Sequence, residues 1–98
     1  MHGSIWRMKG DPDALLRSYD AMLAEIPPAT MQVHLCLRSP DGIVIVDTCP
    51  SKEVFDAFFA GEGFRELRVR HGLPDPESVE DLPVHVAVVD GQRRSSAS

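Results

Sequence analysis

The 98-residue chain is short of several features that mark particular classes of protein. Two cysteines are too few for a disulfide framework, and the spacing of Cys36 and Cys49 matches no zinc motif. The longest clear apolar run, residues 43–46, is far shorter than the roughly 20 residues of a membrane span. At the start of the sequence no basic segment precedes an apolar one, so we expect no secretory signal. These absences favour a reduced, cytoplasmic protein without a membrane segment.

Positive charge is also scarce. Ten Lys and Arg stand against 15 Asp and Glu, which gives a formal net charge of -5 and argues against nucleic acid or an anionic membrane as the partner. The length fits one small domain, which buries roughly 60–70% of the unfolded chain's surface. Because such a core leaves little room for a deep private cavity, we expect any large ligand chamber to need a second subunit.

The first half of the sequence predicts a strand, a helix and a β-hairpin. Asp11 is a good N-cap, and Pro12 suits the first helical position. The prolines at 27 and 28 should end that helix, because neither can donate a backbone hydrogen bond. The predicted strands cover residues 3–8, 31–38 and 42–48, the last two joined by a Ser-Pro-Asp-Gly turn.

The second half predicts a broken helix and a final strand. Ser51 is the expected N-cap, the segment 61–63 interrupts the helix, and Gly72 is the expected left-handed cap. Residues 73–82 are interpreted as a solvent-facing connection, residues 83–89 as the last strand, and residues 91–98 as a disordered tail.

The order β-α-β-β-α-β predicts an α+β, ferredoxin-like domain over residues 1–90. Right-handed crossovers then place two helices on one face of a four-stranded antiparallel sheet. The other face stays bare. Because this face is partly apolar and the chain is small, we expect another protein surface to bury it. We therefore expect a homodimer in which two sheets meet face to face as a dimeric α/β barrel.

Alternation along the strands predicts which side chains share the bare face. The more apolar set on the second strand, Val33, Leu35 and Leu37, is expected to meet the helices. The opposite set would then line a chamber on the bare face together with residues of the first and last strands: Trp6, Met8, His34, Cys36 and His85. Two histidines in an apolar, aromatic lining suit a pocket that orients a small molecule and moves protons.

Other interpretations of these residues stay open. His34 and His85 could be structural histidines bonded to backbone carbonyls, or a metal pair, although no carboxylate stands at a metal-site spacing and no metal is expected. As a sign of catalysis, a histidine needs a carboxylate within reach, and Asp47 and Asp90 lie at strand ends. The arginines at 65, 68 and 70 fit a solvated helix face, or alternatively a guide for an anionic substrate.

Three segments resemble the small dimeric α/β-barrel proteins of the antibiotic-biosynthesis monooxygenase type. Residues 47–60, DTCPSKEVFDAFFA, have their strand-to-helix pattern, and Gly63-Phe64-Arg65 follows near the helix break. Residues 82–88, LPVHVAV, look like the last strand of uncharacterised actinobacterial relatives. The resemblance implies a barrel dimer with a pocket between sheet and helices.

The sequence also departs from that family. Members that oxidise quinols or aromatic polyketides, or degrade haem, often carry Trp before the second helix and His within it, where this chain has Cys49 and Phe58. The family's first-strand Asn has no counterpart, because the sequence contains no asparagine. No family catalytic residue therefore carries over.

The combined prediction is an enzyme of monooxygenase-like, or isomerase- or cyclase-like, activity that uses no cofactor. His34 and His85 would be catalytic, and a small apolar or aromatic molecule would bind to Trp6, Met8, Cys36, Phe58 and Phe59. The alternatives are a non-catalytic module for ligand binding or dimerisation, and a haem or metal binder that uses one of the two histidines.

Overall fold

The computed structural model describes residues 1–95. Three helices lie at α1 (Pro12–Leu23), α2 (Lys52–Ala60) and α3 (Glu62–Arg70). The strands are β1 (His2–Lys9), β2 (His34–Ser39), β3 (Gly42–Cys49), β4 (Ser78–Pro83), β5 (Val86–Val89) and β6 (Gln92–Ser95), and a short 3-10 turn covers Pro28–Thr30. None of the helices in these residues is long and apolar enough to cross a membrane.

The first four strands form one antiparallel sheet in the order β2-β3-β1-β4, with the helices packed on one of its faces. This is the expected ferredoxin-like α+β fold. Strands β1 and β3 lie at the centre of the sheet, where each pairs with a neighbour on both of its edges. Strands β5 and β6 pair only with each other, in a separate two-stranded sheet.

Local signals in the sequence begin both predicted helices where expected. The Asp11 carboxylate accepts a hydrogen bond from the backbone N–H of Ala14 at 3.0 Å, and the Ser51 hydroxyl accepts one from Val54 at 3.2 Å. Each side chain satisfies one of the backbone donors that a helix start leaves without an intrahelical partner. The break at Gly61 and the left-handed Gly72, whose φ is 76°, are also as expected.

Helix α1 ends earlier than its prolines predict, at Leu23. The backbone N–H groups of Glu25 and Ile26 bond to carbonyls three residues back, so the chain tightens into a 3-10 geometry after the helix. Pro27 disfavours a helical conformation for Ile26, so the chain does not return to an α-helix after this turn.

The prediction for the last strand of the sheet is wrong. The strand beside β1 is β4, within the segment expected to be a loop, whereas Val86–Val89 forms a hairpin with Gln92–Ser95. Asp90 and Gly91 have φ of 51° and 75°, the two positive values of a type I′ turn, which joins tightly paired strands. The expected boundary at residue 90 therefore falls inside a hairpin turn. Residues 92–95 are a strand, not a disordered tail, and residues 96–98 lie outside the described residues.

The predicted assignment of the two sheet faces is also inverted. Trp6 and Cys36 both lie opposite Ile45, and directly paired residues of an antiparallel sheet point to the same side. That side is the helix face, because Trp6 contacts rings of α2 and α3. Leu35 and Leu37 consequently point to the bare face, where they are 50% and 48% exposed.

The core lies between the helices and the even-numbered residues of β1. Its buried apolar members come from the sheet, from α1 and α2, and from the segment after α3: Trp6, Met8, Leu15, Tyr19, Met22, Ile43, Ile45, Phe55 and Leu73. Burial of this set supplies the main driving force for docking the helices on the sheet.

Two glycines offer a test of this packing. An added Cβ at Gly42 would lie 1.9 Å from the Met8 carbonyl oxygen, whereas at Gly63 it would meet nothing within 4 Å. We expect Gly42→Ala to lower the free energy of unfolding by about 1–3 kcal/mol, because the backbones of β1 and β3 must separate. The matched Gly63→Ala, within α3, should raise it by about 0.5–1 kcal/mol. Urea denaturation measures both, and equal effects would contradict the close approach at Gly42.

Candidate active site

A cavity of about 480 Å³ lies between the sheet and the helices. Most of its lining is apolar, with aromatic and aliphatic side chains that include Trp6, Met22, Ile45, Phe55, Phe58, Phe64 and Leu67. This volume falls in the range of small-molecule sites. All of these walls come from one chain, and the expectation that a second subunit helps to build the chamber stays a prediction.

Three polar side chains on one wall of the cavity form a hydrogen-bonded chain. The Tyr19 hydroxyl bonds to Nε2 of His34, and Nδ1 of the same imidazole lies 3.1 Å from Oδ1 of Asp47. The Tyr19 and His34 rings are nearly parallel, with an interplanar angle of 8° and centroids 6.0 Å apart. All three residues line the cavity. We call this set the Tyr-His-Asp chain.

Each member of the Tyr-His-Asp chain is positioned by its element. His34 begins β2 and Asp47 lies directly opposite it in β3, so both side chains point to the helix face. Tyr19 lies on the buried side of α1, one turn before Met22. The histidine is therefore held between a carboxylate of the sheet and a phenol of a helix.

The partners of His34 decide where its proton lies. A carboxylate accepts hydrogen bonds only, so in the neutral imidazole Nδ1 carries the hydrogen and Nε2 accepts the one that Tyr19 donates. Burial raises the pKa of Tyr19 to about 12, with smaller contributions from negative charge on Cys36 and Asp47. The phenol is thus neutral near pH 7, with Nε2 ready to receive its proton.

Trp6 is a fixed wall of the cavity. Its indole Nε1–H donates to the Ser4 hydroxyl at 2.8 Å, and both residues are buried. Its ring meets Phe64 edge-on at a centroid distance of 5.4 Å and lies tilted against Phe55 at 6.1 Å. Such contacts hold an aromatic ring in one orientation, as a binding surface for a flat ligand requires.

The structure brings together only part of the predicted site. His34, Trp6 and Phe58 line the cavity, and Phe59 lines a smaller neighbouring cavity. Met8 is buried in the core and Cys36 packs against that core, and neither lines either cavity. The predicted grouping of Trp6, Met8, His34 and Cys36 on one sheet face is observed, but the face is the one under the helices.

His85 is a predicted site residue that the structure places outside this arrangement. It is exposed, between β4 and β5, and it lines neither cavity. The chain leaves the sheet at Pro83, two residues earlier, so the alternation used to place His85 on a sheet face does not apply there. Asp90, considered as its carboxylate partner, lies in the exposed hairpin turn.

Sequence reasoning identified Asp47 as a partner for a histidine but missed Tyr19. In the sequence, the helical spacing of Tyr19 with Leu15 and Met22 indicates only an apolar stripe on the first helix. Tyr19 is the single tyrosine of the chain, and a buried hydroxyl needs a hydrogen-bond partner, which is the signal that could have drawn attention to it.

A second polar cluster lies at the start of β1. The buried His2 bonds through Nε2 to Oδ2 of Asp81 at 2.6 Å, and the Lys52 ammonium lies 3.1 Å from the same oxygen. These two bonds hold the pKa of Asp81 below its usual value. His2 and Asp81 do not line the large cavity. Among residues 1–95, no group of three or more His, Cys, Asp or Glu side chains is placed to bind a metal ion.

Comparison with known proteins supports the fold. No protein-family model and no curated protein sequence matches the chain. Among solved structures, the chain is similar to a Chloroflexus aurantiacus J-10-fl protein provisionally assigned as an antibiotic biosynthesis monooxygenase. The TM-score is 0.57 at 18% sequence identity, over 85% of this chain and 92% of that one. At this identity the likeness shows a shared fold.

The raised pKa of Tyr19 gives a direct test of its surroundings. As the single tyrosine, it can be titrated by phenolate absorbance, and we expect a midpoint near pH 12 in the folded protein, against about 10 in urea. The folded state holds this proton more tightly, so the contribution of Tyr19 to stability is complete below pH 10 and falls between pH 10 and 12.

Circular dichroism at each pH should show that the protein is still folded during this titration. In Tyr19→Phe, the loss of stability across the same pH window should be smaller. A folded-state midpoint near 10 would contradict the buried, hydrogen-bonded phenol.

Proposed function

We propose that the protein is a cofactor-independent, monooxygenase-like enzyme that removes a proton from a small apolar or aromatic substrate in the large cavity. The observation that carries this proposal is the Tyr-His-Asp chain, the hydrogen-bonded base that faces an otherwise apolar space. A structural histidine bonded only to backbone carbonyls would not explain a carboxylate on one ring nitrogen and a phenol on the other.

The chain of hydrogen bonds can move a proton in one concerted step. An acidic C–H or O–H of the substrate gives its proton to the Tyr19 oxygen, while the phenol proton passes to Nε2 of His34. The imidazole becomes an imidazolium, and the Asp47 carboxylate 3.1 Å from Nδ1 stabilises that charge. The substrate is left as a carbanion or phenolate, beside a phenol that can donate a hydrogen bond to it.

Oxygenation of such an anion needs no redox cofactor when the substrate supplies the electrons. A carbanion adds O₂ to give a peroxide, which takes back the proton held on His34. Loss of water from this hydroperoxide then converts the original methylene into a carbonyl group, so CH₂ and O₂ become C=O and H₂O. Isomerisation or cyclisation would use the same proton transfer without O₂, and both reactions keep the residues in the same roles.

The walls of the cavity support a flat, apolar substrate. Trp6, Phe55, Phe58 and Phe64 offer ring faces and edges, while Met22 and Leu67 offer aliphatic surface. The His34 side chain is only 19% exposed, so the electrostatic support that Asp47 gives to the imidazolium is stronger than it would be in bulk water.

The two free thiols are consistent with a reducing, cytoplasmic environment, and we assign them no part in the chemistry. Cys36 and Cys49 are both free, and burial raises the pKa of each thiol. Raised pKa values disfavour the reactive thiolate, so neither cysteine is assigned a nucleophilic role.

Anthrone is a suitable probe for the proposed reaction, because two aromatic rings and a carbonyl group acidify its methylene. We expect the protein to accelerate O₂ uptake and anthraquinone formation, measured by an oxygen electrode and chromatography. Tyr19→Phe and His34→Ala should each lower the rate about 100-fold or more, the size of a lost general base. Asp47→Asn should also lower the rate about 100-fold or more, although the Tyr19 phenol is still present in this variant.

His85→Ala is the matched control, since this exposed histidine lies away from both cavities, and its rate should equal that of the original protein. Equal rates for His34→Ala and His85→Ala would remove the Tyr-His-Asp chain from the mechanism. Binding of anthrone to the large cavity without any acceleration would instead favour the non-catalytic ligand-binding module.

We also propose that the bare sheet face is the interface of a homodimer. Its centre is apolar, with Leu35 and Ile5 on either side of Val46. The flanking residues carry opposite charges, since Arg7 and Glu80 occupy neighbouring rows of the same face. In a two-fold interface such a pair is self-complementary, because each arginine can meet the partner's glutamate.

The C-terminal hairpin supports the same proposal. A two-stranded hairpin is marginally stable on its own in water. Strands β5 and β6 pair only with each other, and Val86 and Val88 are 46% and 65% exposed. A second copy of the chain would give this hairpin an apolar surface to pack against.

A charged substitution on the bare face tests the dimer. We expect the original protein to sediment as a dimer at micromolar concentration and Leu35→Asp as a monomer, because an aspartate would be desolvated at the centre of the interface. Val69→Asp is the control, since Val69 is 61% exposed on α3, away from that face, and this variant should remain dimeric. Sedimentation velocity measures all three, and a monomeric original protein would contradict the proposal.

A further inference from the structure

We propose that a second cavity, lined on one side by α3, binds the carboxylate of a small aromatic acid. This cavity of about 300 Å³ shares Trp6 and Phe64 with the large one, and it is otherwise lined by different residues. The inference goes beyond the proposed reaction, because it assigns a ligand to a space that the Tyr-His-Asp chain does not reach.

The walls suit one aromatic ring. Apolar side chains form most of the lining, with contributions from β1, α2, α3, the segment before β4 and β4 itself: Trp6, Phe59, Phe64, Pro76 and Val79. The volume is at the lower end of the range for small-molecule sites, which limits a ligand to a compact molecule. A strongly hydrated inorganic anion would find few partners on these apolar surfaces.

Arg68 provides the charge that an acid requires. Its side chain lines the cavity and is only 7% exposed, and the guanidinium lies over the Phe64 ring, 5.3 Å from its centroid. Nη1 donates to the Pro74 carbonyl at 3.0 Å and to the Asp75 carboxylate at 3.2 Å. Nε is buried and is the one such side-chain nitrogen or oxygen among the described residues that has no hydrogen-bond partner.

Nε is enclosed by the protein and faces no open space, so a ligand would meet the other nitrogens of the guanidinium. A ligand carboxylate in the cavity would add a second negative charge next to this group, which Pro74 already holds in place. The planar guanidinium matches a carboxylate with two parallel hydrogen bonds.

The start of α3 adds two further positive features to the same cavity. Gly61 precedes the helix without a side-chain cap, so the first backbone N–H groups are available at the positive end of the helix dipole. Arg65 follows one turn later and lines the cavity. Two carboxylates lie near these positive groups. Glu62 is exposed in the first turn of α3, and the Asp75 side chain is 88% exposed. Water would therefore solvate the Asp75 carboxylate if a ligand displaced it from Arg68.

Benzoate and the isosteric neutral benzamide test this assignment by methyl NMR titration. The Val79 methyl groups line only the smaller cavity, whereas those of Ile26 line only the larger one. We expect benzoate to shift the Val79 signals and to bind at least about 10-fold more tightly than benzamide, because the charged ligand alone pairs with the guanidinium.

Three arginine variants on α3 show whether the preference for benzoate depends on the arginines that line the cavity or on the positive charge of the helix as a whole. Arg68→Gln and Arg65→Gln should each reduce the preference for benzoate, and Arg65, being exposed, can be replaced without disturbing the contacts of Arg68 with Pro74 and Asp75. Arg70→Gln is the control, because Arg70 lines neither cavity and pairs with Glu25, and it should keep the preference.

Equal affinity for the acid and the amide would overturn the proposal, and so would shifts confined to Ile26. The proposal would also be overturned if Arg65→Gln kept the preference for benzoate over benzamide while Arg68→Gln either kept it too or failed to fold. These outcomes are independent of anthrone oxidation, whose failure would leave benzoate binding at Val79 intact.

Discussion

The register of β1 against β3 is the constraint on which the rest of the structure depends. It pairs Trp6 with Ile45 and Ser4 with Asp47, and the even-numbered residues of β1 thereby face the helices. Because side chains alternate along a strand, a slip of one residue would place Ile5 and Arg7 under α2 and α3 instead. The large cavity would then lose Ser4 and Trp6 from its lining.

The register of β2 against β3 places a polar row beneath the helices, and this row links the proposed chemistry to the packing. His34 and Asp47 lie side by side on the helix face, where an unpartnered polar group would be destabilising. Their own hydrogen bond satisfies one ring nitrogen, and Tyr19 of α1 satisfies the other. The docking of α1 and the orientation of the proposed base therefore depend on the same interaction, so stability must be measured beside activity in every variant of this set.

The features that the sequence predicted correctly are local ones. Asp11 and Ser51 cap helices through side chains that reach a backbone N–H three residues away, and Gly61 interrupts a helix at its own position. The sheet faces could not be predicted in this way, because β2 presents its more apolar residues, Leu35 and Leu37, to the bare face. Alternation identifies two faces, but which face is covered depends on contacts between distant segments. Tyr19 was missed for the same reason, since its partner lies on another element.

The two cavities share two walls, because Trp6 and Phe64 line both. Trp6 is fixed by its hydrogen bond to Ser4 and by its edge-to-face contact with Phe64, and Phe64 in turn carries the guanidinium of Arg68 on its face. A ligand that moves either ring from one side changes the shape of the space on the other. Any such coupling is reciprocal by thermodynamic necessity: an acid that favours the binding of an aromatic substrate must itself bind more tightly when that substrate is present.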